Sequence, residues 1–108
     1  MKKAILVTGS SRGIGKAVAR LAHKLRYTVI VHGKTDSDEL GKIHQELKGS
    51  IKSYFDVADK SAVQRAINKI LTEVGTIDVL VNNAGIAKNF LKGIEEVDDE
   101  QALNRLVA

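Results

Sequence analysis

Residues 7–16, VTGSSRGIGK, are the part of the chain whose residue types are best suited to chemistry. Three glycines and little side-chain bulk stand between an apolar run and a helical pattern. A turn of this kind brings backbone N–H groups and the positive end of a helix to one point, where a phosphate group can bind. The alternative is a turn that uses glycine only for its backbone dihedral angles. Because the loop directly follows a buried strand in an alternating pattern, we favour the phosphate site.

Two phosphate-binding patterns compete for this loop. A mononucleotide P-loop, G-x-x-x-x-G-K-[ST], needs a hydroxyl for Mg²⁺, but Ala17 stands where the serine or threonine belongs and Ser10 replaces the first glycine. The dinucleotide pattern G-x-G-x-x-G also fails, because Val18 occupies the place of its third glycine. The chain instead has T-G-x-x-x-G-x-G over residues 8–15, which still directs a helix N-terminus at a pyrophosphate. We expect Gly9 to allow the tight turn, and Gly13 and Gly15 to let the start of the helix pack against the strand. A P-loop NTPase is therefore the less favoured interpretation.

The apolar residues on both sides of the loop predict alternating strands and helices. Short apolar or β-branched runs predict strands over residues 4–8, 28–32, 51–57 and 77–82. Helical spacing predicts a first helix with Ile14, Ala17, Val18, Leu21, Ala22 and Leu25 on its buried face, a second through Leu40, Ile43 and Leu47, and a third from Val63 to Val74. The order β-α-β-α-β-α-β predicts an α/β, Rossmann-like fold, in which a four-stranded parallel sheet carries helices on both faces, as in the first half of a doubly wound fold.

Local signals predict where the second and third helices begin and end. Asp36 followed by Glu39 is a capping-box pattern, which assigns the start of the second helix to Asp36. Gly49 and Gly75 stand where these two helices are expected to stop.

The last segment predicts a fourth helix, capped by Asp98 with Gln101 and carrying Ala102, Leu103, Leu106 and Val107. It reaches Ala108 without a glycine or a polar tail to end it. This favours a chain cut within a longer protein, and a frayed terminal helix is the alternative.

Composition narrows the class of protein. The 108 residues, 44% hydrophobic and 28% charged, predict one domain over residues 1–108. The net charge of +4 is scattered, and two Tyr and two Phe are too few for a stacking surface, so we expect no nucleic-acid partner. With no cysteine and no apolar run long enough for a signal peptide or a membrane span, we expect a cytoplasmic protein without a membrane partner. The spacing of His23, His32 and His44 predicts no metal site.

TGSSRGIG at residues 8–15, together with a later strand that ends in NNAG at residues 82–85, resembles the short-chain dehydrogenase/reductase family. The phrase IDVLVNNAGI is similar to the 3-oxoacyl-(acyl-carrier-protein) reductases in particular. Either motif alone is a weak signal, but the pair, each at the end of its own strand, is specific. The resemblance covers essentially the whole chain, and it corresponds to the first, cofactor-binding half of a family member.

The resemblance implies a nicotinamide dinucleotide cofactor and a role for each matching residue. Its pyrophosphate and adenosine ribose would be held by Gly9, Ser10, Ser11, Arg12, Gly13, Ile14 and Gly15. Asp56 and Val57 would flank the adenine, with the carboxylate accepting its amino hydrogens. Asn82 would brace the neighbouring strand, and the cofactor near its riboses would be lined by Asn83, Ala84 and Gly85. At each position a purely structural role, such as a turn cap at Asp56, is the alternative.

Charge near the second strand indicates which dinucleotide is bound. A carboxylate at the end of this strand holds the ribose 2′-hydroxyl of NAD, whereas the 2′-phosphate of NADP needs cations. The strand ends in His32, Gly33 and Lys34, and the first acid after it, Asp36, is assigned to the helix cap. Arg12 and Lys34 can therefore face a 2′-phosphate together, and we predict NADP(H) as the cofactor.

The catalytic residues that the resemblance requires are missing. They are a Tyr-x-x-x-Lys pair and an upstream serine, which pass a proton to the carbonyl oxygen of the substrate. At the lysine position, Tyr27 is followed by Val31 and Tyr54 by Ala58. We therefore predict no catalytic residue and no NADPH-dependent turnover by this chain alone.

Two classes of function remain open. In the first, the chain is the amino-terminal half of an NADP-dependent reductase of a carbonyl substrate, for which the resemblance suggests 3-oxoacyl-(acyl-carrier-protein) and a homo-oligomer at full length. In the second, it is a short chain that binds a nucleotide or a partner without catalysis. The unfinished final helix favours the first class.

Overall fold

Four short apolar strands form one parallel sheet in the structure, a computed structural model that describes residues 2–83. The sheet has the order β3-β2-β1-β4, with every neighbouring pair parallel. In chain order the elements are β1 (Ala4–Val7), α1 (Gly13–Lys24), β2 (Thr28–Gly33), α2 (Asp38–Glu46), β3 (Ile51–Tyr54), α3 (Lys60–Val74) and β4 (Val79–Val81). The predicted helix that begins at Asp98 lies outside the described residues.

The core lies on both faces of this sheet. Alternate residues of β1 and β2, such as Val7 and Val31, pack with residues of α1 and α2 on one face, while Leu6 and Ile30 pack with Ile70 of α3 on the other. Each fully buried aliphatic side chain stabilises the fold by about 1.5–3 kcal/mol. The predicted α/β fold, with helices on both faces of a four-stranded parallel sheet, is confirmed.

Two strands are shorter than the sequence predicts. β3 ends at Tyr54 instead of residue 57. The Phe55 N–H still donates to the Gly33 carbonyl at 3.1 Å, and beyond it the Asp56 carboxylate accepts the Ala58 N–H at 3.0 Å and closes a local turn. β4 covers Val79–Val81 instead of residues 77–82. Just before it, the Asp78 carboxylate accepts the Ala4 N–H at 2.8 Å, so a side chain takes the place of a ladder partner there.

The buried face of α1 differs from the prediction. Ile14, Leu21 and Leu25 are 77%, 57% and 62% exposed, and Ala17 is exposed as well. The residues of α1 that are buried are Gly15, Ala19 and Ala22, with Val18 packed against the core beside them. Small side chains let the helix lie close to β1 and β2, so the close approach, and not the size of the apolar side chains, decides which face turns inward.

The start of α2 also differs from the prediction. Ser37, not Asp36, is the N-cap: its hydroxyl oxygen accepts the Leu40 N–H at 3.2 Å. Asp36 instead accepts a hydrogen bond from Lys52 Nζ of β3 at 2.9 Å. Gly75 is the C-cap of α3 with φ 81°, so this predicted stop is confirmed. By contrast, α2 ends before the predicted stop at Gly49: its last residue is Glu46 and its C-cap is Leu47. Within residues 2–83, no helix has the length and apolarity that a bilayer span requires.

Candidate functional site

The glycine loop, defined as residues 8–15, lies at the carboxyl end of β1 in the middle of the sheet. The chain leaves β1 for β2 on one side, while β4 pairs with β1 on the other side. The carboxyl end of β1 is therefore a topological switch point, where parallel α/β sheets form the crevice that binds ligands. The topology thus places the loop where a ligand is expected.

Two glycines give the loop its path. Gly9 and Gly13 have φ angles of 65° and 63°, in the left-handed region that side chains with a Cβ disfavour. Apart from its chain neighbours and the backbone of its own helix, no heavy atom of the described residues lies within 4 Å of the place that a Cβ on Gly13 would occupy, so the role of this glycine is its backbone angle. The expectation that Gly13 allows the helix to pack against the strand is therefore wrong.

Gly15 is the glycine that allows close packing. A Cβ at this position would lie 2.3 Å from the Gly9 carbonyl oxygen and 2.6 Å from Asn83 Nδ2. Real Cβ atoms do not approach backbone atoms this closely, so only glycine lets the start of α1 rest on the turn after β1. The predicted packing role of Gly15 is confirmed.

The N-terminus of α1 has neither a side-chain cap nor an acidic neighbour. Its N-cap is Arg12, which makes no side-chain cap hydrogen bond, and the first turn contains no Asp or Glu. By contrast, α2 has the Ser37 cap and carries Asp38 and Glu39 in its first turn. The positive end of α1 is thus unopposed by any first-turn carboxylate, as an anion-binding helix end should be.

Ser10 holds the loop from inside. It is fully buried, its hydroxyl oxygen accepts the His32 N–H at 2.8 Å, and its own N–H donates to the His32 carbonyl at 2.9 Å. The Ser10 side chain therefore faces β2 and supports the loop. Ser11 is half-buried and Ile14 is exposed, so these two predicted site residues lie nearer the outer side of the turn.

His32 is a supporting residue that the sequence patterns do not single out. It is 1% exposed, yet both ring nitrogens have partners: Nδ1 lies 2.9 Å from the Gly9 N–H donor and Nε2 lies 2.8 Å from the Phe55 carbonyl oxygen. Burial lowers the pKa of the ring, and the bond to Phe55 opposes that shift. A polar side chain at the carboxyl end of an otherwise apolar strand is the only signal of this role in the sequence.

The end of β4 is tied to the loop by three polar residues. Thr8 Oγ1 accepts the Asn83 N–H at 2.9 Å and lies 3.3 Å from Asn82 Oδ1, while Asn83 Nδ2 donates to the Gly9 carbonyl at 3.2 Å. Asn82 therefore braces β1, as expected. The predicted site residues Ala84 and Gly85 lie outside the described residues.

We expect Thr8→Val to lower the free energy of unfolding by about 1 kcal/mol, the usual net value of a buried hydrogen bond. Valine has the shape of threonine but removes the 2.9 Å acceptor of the Asn83 N–H, which keeps only the Val81 carbonyl at 3.1 Å. Chemical denaturation measures the change. Thr8→Ser should restore most of the loss, and Thr72→Val, on the exposed surface of α3, should have little effect. A loss in Thr8→Ser as large as that in Thr8→Val would show that the methyl group, not the hydroxyl, is what matters.

One cation and one carboxylate meet just after the ends of β2 and β3. Lys34 Nζ is 3.9 Å from Asp56 Oδ2, and both side chains are largely accessible to solvent. The pKa of Glu39, in the first turn of α2, is lowered, chiefly by a hydrogen bond from its own backbone N–H, with a smaller contribution from the charge of Arg12. Val57, next to Asp56, is an exposed apolar side chain.

A separate cleft of about 300 Å³ lies between β3 and α3. It is lined by residues such as Ile51, Phe55 and Ile70, and by none of the predicted cofactor residues. Its position along the side of the sheet, away from the switch point, makes it a poor match for the ligand crevice of this topology. Within residues 2–83, no three His, Asp or Glu side chains are placed to hold a metal ion.

Comparison with known proteins agrees with this geometry. The family model described as short chain dehydrogenase matches residues 3–108. The chain is 42% identical over 90 residues to a 2-dehydro-3-deoxy-D-gluconate 5-dehydrogenase of Formosa agariphila, with 80% of this chain and 34% of the relative covered. It is 34% identical over 109 residues to a 3-oxoacyl-[acyl-carrier-protein] reductase of Staphylococcus epidermidis, covering 96% of this chain and 45% of the relative.

Among solved structures, the chain is similar to YwfH, an NADPH-dependent reductase involved in bacilysin biosynthesis. The TM-score is 0.72 at 25% sequence identity, with 77% of this chain and 37% of that chain covered. The chain therefore spans between a third and a half of the length of these proteins.

Proposed function

This chain belongs to the short-chain dehydrogenase family, and we propose that it binds NADP(H) for an oxidoreductase that reduces a carbonyl group to an alcohol. The observation that carries the proposal is the start of α1. There an uncapped helix N-terminus rests on the turn after β1, at a position where only glycine fits. Backbone N–H groups and a helix dipole at a switch point suit a pyrophosphate.

The residues around the loop fit the two halves of a dinucleotide. Gly9, Gly13 and Gly15 keep the turn free of side chains, so the pyrophosphate can approach the backbone, while Ser11 and Ile14 lie near its outer side. Asp56 Oδ1 accepts the Ala58 N–H, and Oδ2 lies 3.9 Å from Lys34 Nζ. Oδ2 can therefore accept the adenine amino hydrogens. The exposed apolar side chain of Val57 offers the adenine ring a packing surface.

Charge supports NADP(H) over NAD(H). Arg12 is the N-cap of α1 and Lys34 directly follows β2, so both lie in the segments after the carboxyl ends of these two neighbouring strands, where the ribose 2′-substituent is expected. The acid that could compete for a 2′-hydroxyl, Asp36, accepts a hydrogen bond from Lys52 instead of capping the helix. The similarity to an NADPH-dependent reductase is consistent with this choice.

The bound cofactor would supply a hydride, and this chain's residues would hold and orient it. Asn83, with Ala84 and Gly85 after it, would line the cofactor near its riboses, since Asn83 is anchored to Gly9 and Thr8 at the carboxyl end of β4. No Tyr-x-x-x-Lys pair occurs in the sequence, so we assign no proton donor among these residues.

Two relatives suggest the class of substrate: one is a 2-dehydro-3-deoxy-D-gluconate 5-dehydrogenase and the other is a 3-oxoacyl-[acyl-carrier-protein] reductase. We therefore propose a carbonyl compound as the substrate, and a 3-oxoacyl thioester is the first compound to test. We also propose a cytoplasmic protein that self-associates. The lack of cysteine is compatible with a reducing compartment, and exposed Leu21 and Leu25 on α1 would favour association.

Isothermal titration calorimetry of the 108-residue chain with NADP⁺ and with NAD⁺ tests the proposal. We expect one site, tighter binding of NADP⁺, and no NADPH oxidation with a 3-oxoacyl thioester by this chain alone. ATP with Mg²⁺ is the control ligand for a P-loop and should bind more weakly than NADP⁺. The proposal would be overturned if a folded chain did not bind NADP⁺ or if it preferred ATP with Mg²⁺. Oxidation of NADPH by this chain alone would contradict the prediction that it contains no proton donor.

A further inference from the structure

His32 connects the glycine loop to the neighbouring strands through hydrogen bonds of its backbone and of its ring. Its backbone exchanges two bonds with Ser10, at 2.8 and 2.9 Å. Its ring lies between the Gly9 N–H and the Phe55 carbonyl, at 2.9 and 2.8 Å, and the ring of Phe55 packs on it with the centroids 4.2 Å apart. One buried side chain thus links β1, β2 and the segment after β3 at the candidate cofactor site.

These partners determine the protonation of the ring. The Gly9 N–H can only donate, so Nδ1 must accept and carries no proton. The Phe55 carbonyl can only accept, so Nε2 must carry the proton. Only the neutral imidazole with its proton on Nε2 satisfies both, because in the imidazolium Nδ1 would also be a donor and would face the Gly9 N–H.

We propose that His32 is a positioning residue for the glycine loop, and that its neutral ring keeps the loop in the form that binds the dinucleotide, so that protonation of the ring weakens cofactor binding. This inference rests on the proposed function. It predicts that cofactor binding is sensitive to acid through one side chain, which lies behind the proposed phosphate site.

The surroundings of the ring make protonation at Nδ1 unfavourable while the loop is in place. Burial lowers the ring's pKa below its ordinary value of 6.5, and the Phe55 carbonyl acts in the opposite direction. The segments packed around the ring carry four titratable or charged side chains, and none of them contributes to the lowering of the ring's pKa. All four are exposed or partly exposed: Arg12, Lys34, Tyr54 and Asp56.

The direction of the pH effect follows from this lowered pKa. Between the folded pKa and 6.5, the unfolded chain binds the proton more readily than the folded chain. The free energy of unfolding should therefore be at its full value above pH 6.5 and should fall as the pH drops through that range. Cofactor affinity depends on the ring of the folded chain, so it should stay constant down to the lowered pKa and should weaken below it, by at most about tenfold per pH unit.

Three variants distinguish the loss of the Nδ1 hydrogen-bond acceptor from the loss of its protonation. His32→Asn keeps an oxygen near the Nδ1 position that can accept the Gly9 N–H but cannot be protonated in this range. His32→Leu removes the acceptor and leaves a buried N–H unpaired, which should weaken NADP⁺ binding at least about fivefold at about pH 7.5. His44→Asn is the matched control, because that histidine bonds Ser50 and no residue of the loop.

Calorimetric titration with NADP⁺ between about pH 8 and pH 5 is the first measurement. The 2′-phosphate of the ligand itself titrates near about pH 6, so the ratio of dissociation constants between wild type and His32→Asn is used, in which that effect cancels. We expect the wild type to lose more affinity than His32→Asn as the pH falls from about 8 to about 5, so that the ratio changes in this direction whatever its value at about pH 7.5. A constant ratio, or a folded His32→Leu chain that binds as tightly as the wild type, would overturn the inference.

A second measurement does not depend on cofactor. Nitrogen-15 NMR of the apo chain should show the Nε2–H tautomer of His32, and the Gly9 amide signal should titrate with the ring in the wild type and His44→Asn but not in His32→Asn. If this coupling is present and NADP⁺ does not bind, the proposed function fails while the link between ring and loop stands. If NADP⁺ binds and the coupling is absent, the inference about His32 fails alone.

Discussion

Gly15→Ala should abolish measurable cofactor binding and lower the free energy of unfolding by about 3 kcal/mol, at the upper end of the usual cost of overpacking. The added Cβ would stand 2.3 Å from the Gly9 carbonyl oxygen and 2.9 Å from its carbonyl carbon, and these backbone atoms cannot move without breaking the turn. The start of α1 must then move away from β1, which removes the N–H groups that a pyrophosphate would meet. Chemical denaturation and calorimetric titration with NADP⁺ measure the two effects.

A glycine in another helix provides the matched control for this prediction. Gly41 lies in α2, and within the described residues no heavy atom approaches the position of an added Cβ. Gly41→Ala should therefore stabilise the chain by up to about 1 kcal/mol, the ordinary helix preference of alanine over glycine. If Gly15→Ala behaved like Gly41→Ala, the close approach of α1 to the loop would not be a requirement of this fold.

Replacing both Arg12 and Lys34 with glutamine should weaken NADP⁺ binding about 10- to 100-fold and change NAD⁺ binding by less than about threefold. A hydrogen bond to a charged group contributes about 1.5–3 kcal/mol, but these two side chains are exposed, so each is discounted to about 1 kcal/mol for solvent screening. The two ligands differ only in the 2′-phosphate, so a selective loss locates the cations at that group. Calorimetric titration with both ligands gives the ratio.

Salt and a second double variant make this test specific. Screening by salt should weaken NADP⁺ binding more in the wild type than in the double variant, since the variant has lost the charges that are screened. Arg65→Gln with Lys69→Gln removes the same net charge from the exposed surface of α3 and should leave both affinities unchanged. An equal loss of NAD⁺ and NADP⁺ affinity in the first double variant would contradict the NADP(H) assignment.

Much of the fold could be predicted because its signals are local. The strands of the central sheet are apolar runs, and Gly75 ends α3 through its own backbone angle of 81°. The same is true of the turn after β1, where Gly9 and Gly13 take the left-handed angles that the T-G-x-x-x-G-x-G pattern implies. Patterns of this kind are confirmed where neighbouring residues alone decide the conformation.

The predictions that failed depended on contacts between distant segments. The capping-box pattern points to Asp36 as the cap of α2, but Ser37 provides the cap, and Lys52 of β3 bonds the Asp36 carboxylate. Helical spacing places Leu21 and Leu25 in the core, yet the close packing of α1 through Gly15 and two alanines turns them outward. A helical wheel cannot reveal how closely a helix approaches the sheet, because that distance is set by the residues opposite it.

The sequence by itself determined the α/β alternation, the glycine turn and its place after the first strand, and the absence of a Tyr-x-x-x-Lys pair. Only the tertiary structure decided how that turn is held: by His32 from β2 and by Asn83 from the end of β4, which are 23 and 74 residues away from Gly9 in the chain. Hydrogen bonds over such separations depend on the strand order and register of the sheet, and no local pattern encodes them. The glycine loop that we propose as the phosphate site could therefore be located from the sequence, whereas the side chains that keep it in position required the folded sheet.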